Sequence, residues 1–304
     1  MSTTSGISEK VEVIEEGTWG AGTGDGVEFG FIEGLSWKAD THSKSYYSAD
    51  GLNKPNDIID GIIEFSGDLV WKLVDGREFE GILGTLIDAG AGSYTLAIAT
   101  TVPSYSFKAL LSDAQNVHVK GAYFTKFDLK LNKDEIVKVT GNWIAQTIIE
   151  LGTSITPDTP AYKPYMFTDG FVTINGGTAV VLDSINLGID RQAMGYRGIE
   201  AASTNEKRLI TSIVDKNITL TGSGSAIAKK DFFENLLGGA TLIDYRTKAN
   251  IVITLSNTNN TIAFTLPALL TNFNKTTTAN SDIIVIDFDY IATDVTGAGT
   301  YPAP

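Results

Sequence analysis

The sequence contains no cysteine among its 304 residues. This absence excludes disulfide bonds, thiolate nucleophiles and cysteine-based zinc sites. Histidine is nearly as scarce, because the chain has only His42 and His118, which stand far apart. Neither has a second histidine or a carboxylate beside it at metal-ligand spacing. We therefore expect no catalytic, cofactor-binding or metal-binding residues and no cofactor.

Basic residues are in the minority, with 23 Lys and Arg against 36 Asp and Glu and a net charge of -13. This balance disfavours a grip on nucleic acid that works by neutralising phosphates. No stretch approaches the roughly 18 apolar residues of a membrane helix, and the first ten residues lack the apolar core of a signal peptide. We expect a protein that is made in a cytoplasm, is not exported and does not enter a membrane.

The usual enzyme motifs are missing as well. The chain has no Gly-X-Ser-X-Gly elbow, no phosphate-binding loop and no His-Glu-X-X-His pair. The glycine-rich run 20–26 lacks the strand and helix that a dinucleotide site needs. Adjacent acids such as Glu15-Glu16 are expected by chance in so acidic a chain, so they do not indicate a glycosidase. We predict that the protein is not an enzyme.

The pattern that is present is that of β-strands. Short segments of β-branched and aromatic residues, many of them alternating with polar ones, are separated by Gly, Asn, Asp and Thr. The predicted strands are Val27 to Trp37, Ile58 to Leu73, Tyr94 to Thr100, Ala122 to Leu131, Ile136 to Ile149, Phe171 to Ile174, Thr178 to Ile189, Lys207 to Thr221, Ile251 to Leu255, Thr261 to Leu266 and Ile283 to Ala292. Strands this frequent predict a mainly β protein of the sandwich or barrel type.

Helical spacing occurs in two places, Asp75 to Leu86 and Ala228 to Leu237. Their sequences match in part, since Phe79-Glu80 corresponds to Phe233-Glu234. We interpret the chain as two tandem duplicated β domains, each with one short helix, although a chance alignment of β-rich segments is the alternative.

Two further matches follow the same order, with Leu35 to Asp40 lying over Ile185 to Asp190 and Val137 to Gln146 lying over Ile284 to Thr293. The predicted domains are residues 1–160, called the first half below, and residues 161–304, called the second half. The Pro-rich segment 151–165 is the expected linker. The first half has 23 acids and 12 bases (net -11), and the second has 13 acids and 11 bases (net -2).

Each half contains a long polar loop, 41–56 in the first and 191–206 in the second. Loops of this length are uncommon without a function, and one per half is typical of an assembly subunit that reaches its neighbours. An alternative is a carbohydrate-binding or surface-layer β-sandwich protein. Its sugar platform would be Trp37, Trp71 and Trp143 with Tyr46-Tyr47, but tryptophans within alternating strands are more often core.

Two segments resemble the two-domain major tail tube proteins of tailed bacterial and archaeal viruses: Glu16-Gly17-Thr18-Trp19-Gly20 and the run from Phe167 through Gly177 into the strand that ends at Ile189. The likeness in layout covers essentially the whole chain. It implies that each half is a β-sandwich with a flanking helix whose sheet joins a continuous barrel around a tube. Single-domain members form rings of six, so three copies of a duplicated chain would form a homotrimeric, pseudo-sixfold ring.

The same resemblance implies a virion protein of the tail, of the siphovirus kind, whose stacked rings conduct the genome. Expected partners are the tape measure protein, the tail terminator and the tail-tip proteins, while genomic DNA passes an acidic lumen without specific binding. The expected lumen-facing acids are Asp60, Glu64, Asp68 and Asp215. The expected contacts between rings or subunits are Tyr46, Tyr47, Met194 and Tyr196. The near-neutral second half should line the lumen less strongly, and the presence of a contractile sheath stays open.

Overall fold

The computed structural model describes residues 10–27, 29–46, 57–59, 63–90, 92–111, 115–151, 155, 160–175, 181–196, 209–227, 249–277 and 284–302. It is mainly β, as predicted. The strands of the first half are β1 (Lys10–Glu16), β2 (Gly24–Gly26), β3 (Phe31–Asp40), β4 (Lys44–Tyr46), β5 (Asp57–Ile59), β6 (Glu64–Lys72), β7 (Gly84–Asp88), β8 (Ser93–Ile98), β9 (Tyr105–Leu111), β10 (Gln115–Asn132), β11 (Lys138–Ala145) and β12 (Thr147–Glu150). Those of the second half are β13 (Gly170–Ile174), β14 (Leu182–Asp190), β15 (Met194–Tyr196), β16 (Ser212–Val214), β17 (Thr219–Ile227), β18 (Ala249–Ser256), β19 (Thr261–Thr277), β20 (Ile284–Ala292) and β21 (Thr296–Thr300).

The helix predicted over 75–86 is shorter in the structure. A 3-10 turn over Gly76–Phe79 leads into α1 (Glu80–Leu83), and Asp75 caps the turn by accepting a hydrogen bond from the Arg77 amide at 2.9 Å. Gly84 has a left-handed φ of 92°, which ends the helix, and β7 begins there. The second predicted helix, over 228–237, lies outside the described residues.

Two predicted strands are interrupted. The segment Ile58 to Leu73 holds two strands, β5 and β6, and the segment Lys207 to Thr221 holds β16 and the start of β17. Strands β1 and β9 had no prediction. They pair with each other in the structure, Val13 opposite Phe107, and both of these residues are buried.

One antiparallel sheet of eight strands runs through both halves, and we call it the long sheet. Its order is β3-β6-β11-β10-β14-β17-β20-β19, with the C-terminal parts of β10 and β19 taking part. The two halves therefore meet in the middle of this sheet, where β10 pairs with β14. Within the described residues, the outer edges of β3 and of the C-terminal part of β19 have no partner strand.

The N-terminal parts of β10 and β19 leave the long sheet and join two smaller sheets. Their orders are β1-β9-β10-β12 and β13-β18-β19-β21-β8-β7. In both strands the change of sheet follows a β-bulge, at Thr125 in β10 and at Thr271 in β19. A bulge bends its strand and increases the local twist, which lets one long strand serve two sheets.

The core lies between the long sheet and the smaller sheets. Trp71, Phe124 and Phe127 form edge-on and tilted aromatic pairs within it, and Phe124 and Phe127 are 4.8 Å apart between ring centroids. Phe79, next to α1, contacts Phe264 of β19 at 4.7 Å, so aromatic packing also joins the two halves. Aromatic pairs of this kind contribute about 0.5–1.5 kcal/mol beyond their buried area.

Candidate functional site

The long sheet has one side against the core and one side that no described element covers, which we call the polar face. Along β11, the buried residues Val139, Gly141, Trp143 and Ala145 alternate with half-buried Lys138, Thr140, Asn142 and Ile144. Successive side chains of a strand point to opposite sides, so this pattern separates the core from the polar face. The same alternation holds along β17 and β20.

The polar face of the first half carries both signs of charge. Glu33 lies between two lysines, with its carboxylate 2.8 Å from Lys138 Nζ and 3.2 Å from Lys72 Nζ. The hydrogen bond from Lys138, partly opposed by burial and helped by Lys72, holds the pKa of Glu33 below its usual value. Asp128 similarly contacts Lys126 at 2.7 Å. These two acids are neutralised by nearby lysines, on other strands for Glu33 and on the same strand for Asp128.

Two of the predicted lumen acids, Glu64 and Asp68, lie on this face, both on β6. Asp68 accepts hydrogen bonds from Ser36 Oγ at 3.3 Å and from Asn142 Nδ2. Glu64 contacts the Nε2 of His42 at 3.2 Å. Asp60 lies outside the described residues.

His42 is a residue that sequence reasoning missed. Its ring lies between two carboxylates, Glu64 through Nε2 and Asp40 through Nδ1 at 3.5 Å. The sequence hides this cluster, because Glu64 is 22 positions away and reaches His42 only through the pairing of β3 with β6. Across the described residues, no group of three or more His, Asp and Glu has a geometry that could hold a metal ion.

The polar face of the second half carries acids without bases. Asp190, Asp287 and Asp289 lie there, and no Lys or Arg accompanies them among the described side chains of that face. Asp289 accepts a hydrogen bond from Asn272 at 2.8 Å. On this face, the half with the smaller overall charge is therefore the one whose acids have no neighbouring base among the described side chains.

Glycine makes room for a buried aromatic on the core side of the long sheet at corresponding points of the two halves. A Cβ on Gly67 would lie 2.5 Å from the Trp143 side chain, and one on Gly222 would lie 2.2 Å from the Tyr290 ring. Each glycine also borders a depression in the sheet. The first depression includes Asp68, Asn142 and Trp143, and the second includes Ser223, Asp289 and Tyr290.

The two long loops begin as β-hairpins, which we call the arms. β4 pairs with β5, and β15 pairs with β16. Both arms start with the same turn, in which an Asp side chain accepts from the amide two residues on: Asp40 from His42 at 3.1 Å and Asp190 from Gln192 at 2.7 Å. His42 and Gln192 both have a positive φ, of 41° and 48°.

Three of the predicted contact residues, Tyr46, Met194 and Tyr196, lie at the bases of these arms. Met194 and Tyr196 of β15 are 48% and 60% exposed. Tyr46 lies in β4, but its side chain, like the whole of Tyr47, falls outside the described residues.

A buried arginine links the two halves beside the arm of the second half. Arg191 is 1% exposed, and its guanidinium donates to the Ile82 carbonyl at 2.7 Å, the Ala99 carbonyl at 2.6 Å and the Asp215 carboxylate at 2.7 Å. The Ile82 carbonyl belongs to α1, whose C-terminal end favours a positive charge. We call this set of contacts the Arg191 clamp.

Asp215, a predicted lumen acid, is thus engaged inside the chain. It lies between β16 and β17, and besides Arg191 it accepts a hydrogen bond from the hydroxyl of Tyr123 at 2.8 Å. Burial, together with that hydrogen bond, raises the pKa of Tyr123. Asp215 therefore completes a contact in which Tyr123 and α1 of the first half hold the second half.

Glu16, in the segment that carried the resemblance, is a second buried charge. Its carboxylate accepts from the amides of Gly20, Gly22 and Gly121, and from the hydroxyls of Ser104 and Ser106, at 2.6–3.0 Å. Trp19 adds a hydrogen bond from its indole nitrogen to the Gly121 carbonyl at 3.1 Å. The segment thus fixes a glycine-rich loop against β10, which explains its composition without any ligand.

The aromatic platform of the carbohydrate-binding alternative does not form. Trp71 and Trp143 are buried in the core, and Trp37 lies at the edge of the long sheet, 38% exposed. In the described part of the chain, no helix combines the length and the apolar character of a membrane span.

A mainly β chain with hairpin arms and a two-sided sheet whose outer edges no described strand covers is typical of structural proteins that assemble with their own copies. The sequence profile of the phage tail tube protein family matches residues 9–300. The chain therefore belongs to the phage tail tube protein family, and its role is that of a structural tube protein in the virion tail. No curated protein matches the chain. The carbohydrate-binding alternative is not favoured, and the family points to a role without catalysis.

Proposed function

We propose that three copies of this chain close into a pseudo-sixfold ring and that such rings stack into the tube. One observation carries the proposal: the long sheet is continuous across the two halves and ends in two free edges, β3 and β19. Unpaired edges are aggregation hazards unless another strand covers them, and ring closure covers all of them at once.

The repeated layout supports an origin of the chain by duplication, with the domains divided at the linker 151–165. The order β3-β6-β11-β10 of the first half corresponds to β14-β17-β20-β19 of the second. In each half an arm follows the first of these four strands, and a β-bulge interrupts the fourth. Two equivalent halves per chain convert the sixfold ring of single-domain relatives into a ring of three chains.

The polar face is the surface that we propose to line the lumen. Asp68 and Glu64 of the first half, with Asp287 and Asp289 of the second, would face the genomic DNA. Carboxylates repel phosphates, so DNA would pass without specific binding. Lys72 and Lys138 are held by Glu33, which keeps these two bases from acting as free phosphate ligands.

The arms are the parts that we propose to contact the next ring, through Met194 and Tyr196 of the second half and Tyr46 and Tyr47 of the first. The tape measure protein would fill the lumen before the DNA does, and the tail terminator and tail-tip proteins would cap the two ends. Synthesis in the host cytoplasm and a tail of the siphovirus kind belong to the same proposal.

Negative-stain electron microscopy of the purified chain at rising concentration tests the ring directly. We expect rings with threefold mass distribution and hollow tubes with a regular axial repeat. Sedimentation velocity on the same samples measures the mass of the smallest closed species, which should be that of three chains. Persistent monomers at high concentration would contradict the proposal.

A further inference from the structure

The junction between the two halves has a defined register. β10 and β14 pair antiparallel. The pairing runs from Lys126 opposite Asp190, through Asp128 opposite Gly188, to Asn132 opposite Ser184. At one end of this pairing, Lys126 directly follows the bulge at Thr125 in β10, and its partner Asp190 opens the turn of the second arm. These two landmarks allow the same register to be located elsewhere in the chain.

The free edge of β19 corresponds to β10. Both strands change sheets after a bulge, at Thr271 and Thr125, and each pairs just beyond the bulge with the strand that follows it in sequence, Asn272 with Asp289 and Lys126 with Asn142. Asn272 thus holds the position of Lys126.

The free edge of β3 corresponds to β14. Each strand leads into an arm through the same Asp turn, and each pairs on its inner side with the strand that follows the arm. Aligning the turns places Asp40 at the position of Asp190 and Ser36 at the position of Asn186. The two outer edges of one chain are therefore copies of the two sides of its own internal junction.

We infer that β19 of one copy pairs with β3 of a second copy of this chain in the register of the internal junction, with Asn272 opposite Asp40, Asn274 opposite Lys38 and Thr276 opposite Ser36. This inference rests on the proposed ring and specifies its interface between copies. The interface is heterologous, since one edge meets a different edge, so three copies can close it.

Burial at corresponding positions supports this choice of occupant. Leu187 of β14 is 1% exposed, whereas Trp37, at the same place on β3, is 38% exposed. Phe127 is fully buried opposite Ile189, while its counterpart Phe273 is only partly buried at the free edge. The apolar side chains that the internal junction covers are the ones that the free edges leave exposed.

The chemistry of the paired edges is also compatible. The polar-face side chains of the β19 edge that would lie opposite Asp40 and Lys38 are the neutral Asn272 and Asn274, so they place no like charge there. A shift by one residue would place Phe273 of one copy and Trp37 of the other on opposite sides of the joined sheet, because side chains alternate between faces. A shared core side for these two aromatics therefore excludes odd shifts, and the register of the internal junction selects one of the even ones.

Disulfide formation tests the register, and the absence of native cysteine makes the background clean. The test variant carries Lys38→Cys and Asn274→Cys, and a second in-register variant carries Ser36→Cys and Thr276→Cys. Slipped variants combine Lys38→Cys with Asn272→Cys or with Thr276→Cys. Directly opposite Cβ atoms lie about 4.5–5.5 Å apart, against roughly 7–8 Å for diagonal ones, and a disulfide needs the shorter distance. The matched control, Asp128→Cys with Gly188→Cys, has the same geometry inside one chain.

Assembled tubes are oxidised and analysed on non-reducing gels. We expect both in-register variants to form covalent dimers and trimers, at least fivefold more than the slipped variants, with no band above the trimer. The intrachain control should stay monomeric while losing its free thiols. If wild-type tubes form but both in-register variants fail to crosslink in tubes, or a slipped variant crosslinks better, the register is wrong while the tube function stands. Failure of the wild-type chain to form rings would instead count against the proposed function.

Discussion

The two halves place different residues at corresponding points of the long sheet, and the differences follow from what each point meets. At the internal junction the second half has Leu187 and Arg191, both buried. At the free edge the first half has Trp37 and Thr41, which are exposed. The position at the internal junction carries a buried clamp, whereas the β3 edge, which no described strand covers, carries a large exposed aromatic and an uncharged side chain. The buried charge at the junction is tolerated because acceptors of the same chain satisfy it.

The polar faces differ in a second way. The first half pairs some of its acids with lysines, as in Glu33 with Lys138, whereas Asp287 and Asp289 of the second half have no such partner among the described side chains of their face. Net charge per half therefore does not predict charge per face, because lysines offset some acids of the first half and a few others lie in its interior. Glu16 and Glu78 are both buried there.

The largest expected effect is the loss of the Arg191 clamp. Arg191→Met leaves the Asp215 carboxylate and two carbonyls without their donor, so the free energy of unfolding should fall by about 3–5 kcal/mol, nearer the lower value because Asp215 is partly exposed. Urea unfolding followed by tryptophan fluorescence measures the change.

The matched control is Lys126→Met, which removes a 2.7 Å ion pair on the polar face. Such an exposed pair contributes about 0–1 kcal/mol. Equal effects of the two substitutions would show that Arg191 does not join the halves.

The next effect concerns a clamp that operates within the first half alone. In the wild type, both carboxylate oxygens of Glu16 accept at least two hydrogen bonds. In Glu16→Gln, the amide NH2 replaces one of these oxygens, so whichever way the amide is turned its NH2 faces N–H or O–H donors. We expect a loss of about 2 kcal/mol, measured by the same urea unfolding. Glu12→Gln is the control, because Glu12 lies on the same strand and contacts only Lys108, at 3.5 Å. A loss below that of the control would contradict the role assigned to Glu16.

A smaller expected effect is a pH dependence of stability that comes from the buried acids of the first half and not from the exposed acids of the second. Burial, with the nearby Asp75 carboxylate, raises the pKa of Glu78 well above its usual value of 4.5. The folded state therefore binds a proton more tightly than the unfolded state does. The contribution is complete below about pH 4.5 and is lost as pH rises towards the folded pKa, at up to about 1.4 kcal/mol per pH unit.

Urea unfolding between pH 5 and 8 measures this slope, and Glu78→Gln should flatten it. Glu80 adds a change of the same sign, because burial and the nearby Glu15 raise its pKa to about 7. Glu33→Gln is the control of opposite sign, since the lowered pKa of Glu33 contributes stability above pH 4.5 that is lost on acidification, and its effect should appear only when the titration is extended below pH 4.5. An unchanged slope in Glu78→Gln would show that another group is responsible.

The mainly β fold was predictable because alternation is a local signal, as the strict pattern of β11 illustrates. The helix over 75–86 was predicted too long, because the apolar spacing of Leu86 fits a helix although Gly84 ends it. The break between β16 and β17 was missed because Asp215 lies there to contact Arg191. No local sequence pattern indicates this tertiary contact.

The candidate site was predictable only in part. Asp68 and Glu64 could be placed on one face of a strand by their spacing, but their partners Asn142 and His42 come from other strands. The Arg191 clamp joins residues that are about a hundred positions apart, and arginine in a polar loop gives no sequence signal of burial. The Asp turn shared by both arms did leave a trace, since Asp40 and Asp190 end the matched segments.

The smallest expected change in the stability of the subunit is at the β3 edge, and it contrasts with a larger change at the internal junction. Trp37→Ser should change the free energy of unfolding of the monomer by less than about 1 kcal/mol, because the side chain is already 38% exposed. Leu187→Ala, at the corresponding buried position, should cost about 2–5 kcal/mol.

For assembly, the order of the two substitutions reverses. Losing the burial of Trp37 at each interface between copies should raise the protein concentration needed for tubes about tenfold or more, as measured by light scattering. Lys163→Ser is a control at an exposed position of the linker, outside the arms and the two sheet edges, and it should leave that concentration unchanged within twofold. A Trp37→Ser chain that assembles like the wild type would show that copies do not meet at the β3 edge.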